Sequence, residues 1–235
     1  MAELTQKIKD ILNGTATSTI TGFLNRRGLN NMFLHDVSPL RLGMKRMAGI
    51  AYTLRFLPQR KDKSSPLGSA QQTAMEQCPP GHVLMIDSRG DARAASAGDL
   101  FIGRLAARGC AGIVTDGGFR DSEGVLKTGL PAYHQRPVSP PSGIAHLPYD
   151  IGLPIACGGV AVFPGDIIVG DCDGVVVIPP DLLEEIATEC EAQNIFDEFA
   201  EAEVAKGRSL IGLFPNQDEK CKADFAAWKK ARGLS

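Results

Sequence analysis

The spacing of apolar residues changes period along the chain and divides it into short elements. Residues 3–28 read as one or two short helices ending near Gly28. The run Thr15-Ala16-Thr17-Ser18-Thr19 breaks them and offers N-cap hydroxyls to the second. Gly49 to Leu57 has the mixed alternation of a strand, and a helix is predicted around Gln71–Glu76, closed by Pro79-Pro80. Val83-Leu84-Met85-Ile86-Asp87 is a short β-rich apolar run. Gly98-Asp99 then opens a helical stretch from Leu100 to Arg108, apolar at Leu100, Phe101, Leu105 and Ala106 and stopped by Gly109. Ala111-Gly112-Ile113-Val114 is a second buried strand, followed by a glycine turn and Arg120-Asp121. A strand–helix–strand order predicts parallel strands with both carboxyl ends on one sheet edge, where ligands of such folds sit. Asp87, the start of the Asp99 helix and Arg120-Asp121 are expected to gather there.

Residues 131–178 are β-rich, with strands near Pro154–Val162, Asp166–Val169 and Val175–Ile178. Pro137, Pro140, Pro141 and Pro148 make the intervening segment an irregular loop over the site. Asp171-Cys172-Asp173-Gly174 is a tight turn, and turn chemistry explains its two aspartates better than a metal pair does. A long helix begins at Pro180-Asp181, with Asp181 as N-cap and Glu184 in a capping-box position, and ends at Gly207. Most of its glutamates form a solvated face. The tail, residues 210–235, carries Phe214, Phe225 and Trp228 and is apolar enough to pack on another subunit.

Composition narrows the class. The 235 residues are 43% hydrophobic, enough for one α/β domain with helical extensions. The net charge of −2 advertises no basic face, which argues against a nucleic-acid partner. The basic run Arg55 to Lys63 also holds Pro58 and Asp62 and reads as a solvated loop. The six cysteines form no CxxC pair and have no local histidine partner. Cys110, Cys157 and Cys190, in apolar contexts, read as reduced core residues of a cytosolic protein rather than as nucleophiles. No apolar run reaches membrane-spanning length, and no P-loop or dinucleotide fingerprint is present. A cytoplasmic protein without a membrane partner is expected.

The chemistry concentrates between Gly98 and Asp121. Asp99 is a natural N-cap, and the free amides of the first turn at Leu100, Phe101 and Ile102 seat a small anion such as a carboxylate. Arg120 offers a fork of donors to a carboxylate or polarised oxygen, and Asp121 is a hard oxygen ligand suited to Mg2+ or Mn2+. A capped helix with a surface Arg-Asp pair is the plainer reading of the same spacing.

The run Gly98-Asp99-Leu100 through Ala111-Gly112-Ile113-Val114-Thr115-Asp116-Gly117-Gly118-Phe119-Arg120-Asp121 resembles the RraA-like family. That family includes class II pyruvate aldolases acting on 4-hydroxy-4-methyl-2-oxoglutarate and the RraA regulator of ribonuclease E. Further resemblance lies in Thr17-Ser18-Thr19, Met47 to Thr53, Pro154 to Val160 and Pro164 to Val175. It implies an RraA-like α/β/β sandwich with a mixed, partly barrel-like sheet and a long C-terminal helix. Residues 1–207 would form the catalytic domain, and 208–235 an extension on a neighbouring subunit.

Residue by residue, the resemblance makes Asp121 a metal ligand and Arg120 the contact to the 2-oxo acid and its developing oxyanion. It gives Asp99 the metal-bound water, and the backbone amides of Leu100 and Phe101 the substrate carboxylate. Glu198, with Asp197 and Glu201 as alternatives, would complete the metal shell of a neighbour in a homotrimer or hexamer. One departure stands out. The aldolases carry a lysine after the third core strand, whereas Val138 to His146 contains none, so Ser142 and His146 are candidates for contacts to a different acceptor. The implied activity is metal-dependent cleavage of a 4-hydroxy-2-oxo acid to pyruvate and a carbonyl product, with oxaloacetate decarboxylation alongside. The alternative is a non-catalytic regulator that binds a ribonuclease; Glu198 and the long C-terminal extension weigh toward the enzyme.

Overall fold

In the computed structural model, residues 3–215 and 217–234 are described. Helices α1 (Gln6–Gly14) and α2 (Thr17–Arg26) lead into strands β1 (Ser38–Pro39) and β2 (Met47–Pro58), helix α3 (Ala70–Gln77) and strand β3 (His82–Asp87). There follow β4 (Ala95–Ala97), α4 (Asp99–Ala107), β5 (Gly112–Thr115), β6 (Gly118–Phe119), α5 (Ser122–Thr128), β7 (Ala132–His134) and β8 (Arg136–Pro137). Strands β9 (His146–Ile151), β10 (Ile155–Cys157), β11 (Val160–Val162), β12 (Ile167–Gly170) and β13 (Val175–Ile178) precede helices α6 (Leu183–Ala205) and α7 (Glu219–Ala231).

Eight strands form a mixed, barrel-like sheet in the order β1-β7-β5-β3-β2-β12-β13, with β9 also paired to β2. The expected parallel unit is present: β3 lies parallel to β5, Val83 opposite Gly112. Alternation along β3 explains its continuous apolar run. Leu84 and Ile86 join Ile102, Leu105 and Val125 in a core on the helix-covered face. Val83 and Met85 join Ile155, Cys157 and Val160 in a core beneath the β10–β11 hairpin. A strand buried on both faces needs no polar positions.

Several termini depart from expectation. Neither Thr15 nor any hydroxyl of its run caps α2; its N-cap is Ala16 without a side-chain bond. The carboxylate of Asp171 does that work from the β12–β13 turn, accepting from the Thr17 N–H at 2.8 Å and the Thr17 hydroxyl at 2.9 Å. It also accepts from the Asp173 N–H at 2.9 Å, so turn and cap chemistry account for its oxygens. Asp181 is not a helix cap. Pro180–Leu182 is a 3₁₀ turn, and α6 starts at Leu183 because Pro179-Pro180 favours the tighter entry. Only the second half of the basic run is a solvated loop, with Arg60 paired to Asp62 at 2.6 Å; Arg55 to Pro58 belong to β2, where Phe56 is buried and Arg55 pairs with Asp150.

The chain divides into two compact units, one up to Ala187 and one from Thr188 onward. In the second unit the tail aromatics pack on their own chain. The Phe225 ring meets Phe196 edge-on at 5.3 Å, and Trp228 meets Phe199 at 5.8 Å. Gly207, at φ 91°, ends α6 in the left-handed turn expected of it. Among the described residues, no helix is long and apolar enough to cross a membrane.

A buried histidine supplies one pH prediction. His134 in β7 stacks on Phe119 at 5.5 Å, and its Nδ1 accepts from the Phe119 N–H at 3.4 Å. Burial lowers its pKa from 6.5 to about 4. As pH falls, the unfolded chain therefore takes up this proton first, and stability declines between about 6.5 and 4. The expected contribution at pH 5 is a loss of about 2 kcal/mol relative to pH 7. His134→Asn, which keeps an acceptor for Phe119, should flatten that part of the profile in denaturant titrations at the two pH values. An unchanged pH slope would contradict the assignment.

Candidate functional site

The site is built by a small parallel sheet whose strands are two or three residues long, β4-β6-β8. The Arg120 N–H donates to the Ala97 carbonyl at 3.1 Å, and the Val138 N–H donates to Phe119 at 2.9 Å. These bonds set the carboxyl ends of β4 and β6 side by side, with Gly98 next to Arg120. Gly98 is the N-cap of α4, and it must be small. A Cβ there would stand 2.6 Å from Asp121 Oδ2 and 3.1 Å from Arg120 Nε. Gly98→Ala is therefore expected to push the pair out of position with the fold retained, and in a site that orients a reacting ligand a misplacement of about 1 Å costs roughly 10- to 100-fold in rate. Unaltered steady-state kinetics in a folded variant would refute it.

Asp99 is the first residue of α4 rather than its cap. Its carboxylate turns onto the adjacent backbone, Oδ1 accepting from the Leu100 N–H at 2.8 Å. Ile102 N–H closes back to Gly98, which leaves Asp99 and Phe101 as the unspent amides of the first turn. Of the two amides expected to hold a carboxylate, Phe101 is thus open and Leu100 is shared with Asp99. Gly124 of α5 makes room for the Asp99 side chain: a Cβ on it would lie 2.5 Å from Asp99 Oδ2.

Asp121 sits at φ 58°, ψ 41°, a left-handed conformation that aspartate tolerates better than most residues. Its Oδ2 pairs with Arg120 Nε at 3.1 Å, and both side chains are about half exposed, at 45%. The ion pair uses Nε, so the terminal amino groups of the guanidinium remain for a carboxylate or oxyanion.

Asp99, Leu100, Phe101, Arg120 and Asp121 all line one cavity of about 300 Å³. The rest of its wall includes residues the motif did not mark. Gln71 is tied to the Ser96 carbonyl at 2.6 Å, and Ala95 and Ala97 come from β4. Pro141, Ser142 and Gly143 come from the proline-rich loop, and Ser142 Oγ is buried without a hydrogen-bond partner among the described residues. The sequence signal for that wall was the loop's expected position over the site.

Two expected members lie elsewhere. His146 is buried against the Ala94 carbonyl, Nε2 to oxygen 3.1 Å, so its role is structural. Asp87 lines a second cavity with Asp116, where it accepts from the Arg89 N–H at 2.9 Å. Alternation explains this: Asp87 shares the face of Val83 and Met85, toward the hairpin.

Asp99 and Asp121 offer hard carboxylate oxygens to one solvent-accessible cavity. That donor set fits Mg2+ or Mn2+, ions held by one or two carboxylates with water completing the shell. Among the described residues, the grouping of three potential ligand atoms close together is Asp171, Cys172 and Asp173, away from this cavity, and its Asp171 is engaged as the α2 cap. Glu198 belongs to the second unit. It is exposed and stands 3.8 Å from Arg232, while Asp197 accepts from Gln193 at 2.7 Å. Glu201 lines a groove in that unit with Val204 and Phe214.

Comparison with known proteins gives this architecture a class. The profile of the RraA-like family, described as Aldolase/RraA, matches residues 5–177, and the chain belongs to that family. A protein of Halalkalibacterium halodurans, provisionally named 4-hydroxy-4-methyl-2-oxoglutarate aldolase, is 37% identical over 144 residues, covering 60% of this chain and 67% of its own. Protein DlpA of Legionella pneumophila is 28% identical over 194 residues, 83% of this chain, but the match spans only 31% of DlpA. Among solved structures, Streptomyces coelicolor RraAS2, described as an unusual member of the RNase ES inhibitor RraA family, superposes with a TM-score of 0.76 at 30% identity. That match covers 86% of this chain and 98% of RraAS2.

Proposed function

We propose that the chain is a divalent-metal-dependent lyase that cleaves a 4-hydroxy-2-oxo acid to pyruvate and a carbonyl compound, and that it also decarboxylates oxaloacetate. The observation that carries this reading is the convergence of Arg120, Asp121, Asp99 and the first turn of α4 on one cavity. The names of relatives such as the H. halodurans protein support it at the level of an aldolase. Magnesium or manganese, when bound, would supply Lewis-acid polarisation of the 2-oxo group. Asp121 would hold it, Asp99 would order its water, and Glu198 of a neighbouring subunit in a trimer or hexamer would complete the set.

This chain's own residues do the rest. The open amide of Phe101, at the positive end of α4, binds the substrate carboxylate. Arg120 donates to the C2 oxygen and stabilises the negative charge that accumulates there as the C3–C4 bond breaks. Asp99 keeps a water molecule oriented to accept the C4 hydroxyl proton and to return one to C3. The test is turnover of 4-hydroxy-2-oxo acids and of oxaloacetate with either metal, before and after chelation. Chelator-sensitive activity is expected; no activity on any of these acids would overturn the reading.

The similarity to RraAS2 supports a second reading, a ribonuclease-binding regulator. A pull-down with ribonuclease E segments beside the lyase assay separates the two.

A further inference from the structure

The cavity walls also bear on the far half of the substrate. We propose, building on the lyase reading, that this half is uncharged: the substrate is a 4-hydroxy-2-oxo monoacid, and its second product is a neutral aldehyde or ketone. Arg120 is the only cation among the described residues that line the cavity, and it stands beside Asp121 at the 2-oxo end. Apart from Arg120, Asp99 and Asp121 the described lining is uncharged and largely apolar, with Ala95, Ala97 and Pro141 among it and Leu100 86% exposed. The cation of α4, Arg104, does not line the cavity and is engaged with Glu76 at 2.8 Å.

A second carboxylate on this wall would lose hydration, find no second cation among this chain's described lining residues, and share the cavity with the carboxylates of Asp99 and Asp121. An alkyl or aryl group would instead bury apolar surface against apolar surface. The neutral polar residues of the described lining, Gln71, which is held by the Ser96 carbonyl, and Ser142, add no charge that would receive a second carboxylate. The step needs no co-reactant. The C3–C4 electron pair passes into the pyruvate enolate, the C4 hydroxyl loses its proton to become the new carbonyl, and C3 gains one proton.

The test uses the full chain with Mg2+ or Mn2+ and two substrates that differ in one group. These are 4-hydroxy-4-methyl-2-oxoglutarate and 4-hydroxy-4-methyl-2-oxohexanoate, in which ethyl replaces the distal carboxylate. We expect kcat/KM to favour the hexanoate by more than about tenfold. Exchange of the pyruvate methyl protons in D2O, followed by NMR, reports enolate formation without any acceptor and so tests the lyase reading separately. Exchange together with preference for the glutarate would overturn the monoacid inference and leave the lyase reading standing. No exchange with either metal would remove both.

A variant gives an independent arm. Gly143 lines the cavity, and a Cβ built on it meets nothing within 4 Å, so Gly143→Lys introduces an ammonium without a clash. The variant should move the selectivity ratio toward the glutarate by about tenfold. A ratio left unmoved would contradict the inference.

Discussion

Arg120→Ala is expected to lower kcat for the proposed pyruvate-forming cleavage by about 10²- to 10³-fold, the usual cost of deleting a donor aimed at a developing oxyanion. The same change should hardly alter stability, because the side chain is 45% exposed and its one ion pair, to Asp121, is equally exposed. Fold and activity therefore separate at this position. Arg120→Lys should recover only part of the loss. Nε is committed to Asp121, and a lysine ammonium cannot serve that carboxylate and a planar ligand as a fork does. Steady-state kinetics with either metal, beside a thermal melt, reads both effects. A folded Arg120→Ala chain with undiminished kcat would mean that charge at C2 is stabilised by something else.

The largest effect on stability is expected at Asp116, which the motif carries but which does not line the Arg120 cavity. Its buried carboxylate accepts from the Ser88 N–H at 2.6 Å, Gly90 at 2.9 Å and Gly158 at 3.4 Å, tying the loop after β3 to the turn of the β10–β11 hairpin. Asp116→Ala strands these amides, each costing about 1–3 kcal/mol where water cannot reach it. A loss of about 3–5 kcal/mol follows, or a fall in Tm of roughly 10 °C for a chain of this size. Asp116→Asn keeps one acceptor oxygen and should cost less. Burial also raises the carboxyl pKa above 3.8, so the folded chain binds this proton more readily than the unfolded one. The contribution of Asp116 therefore grows as pH falls toward 3.8, opposite in sign to that of His134. A Tm within a degree or two of the parent for Asp116→Ala would show that the loop does not depend on it.

Asp116 and Asp87 also mark where sequence reasoning reached its limit. The β3–α4–β5 unit was legible because its apolar runs, Gly98 and Gly109 are all local signals. The Arg120-Asp121 pair was legible by its motif. The assignment of Asp87 to the same corner followed the sheet edge but ignored the pleat, which sends residues 83, 85 and 87 to the hairpin side. The β4-β6-β8 sheet, which sets Gly98 against Arg120, has strands too short to show any period. The cap of α2 by Asp171 spans 154 positions of sequence, beyond the reach of any local rule. The Asp99 carboxylate departed from its expected capping role because Gly98 already occupies the cap position, with its carbonyl accepting the Ile102 N–H.

The most direct test of the account is a crystal structure of the full chain soaked with Mn2+ and pyruvate, with the metal located by its anomalous scattering. The account predicts a peak beside Asp121, water between the metal and Asp99, and pyruvate with its carboxylate on the first turn of α4 and its keto oxygen at Arg120. A metal bound elsewhere, or pyruvate lying away from Arg120, would contradict it.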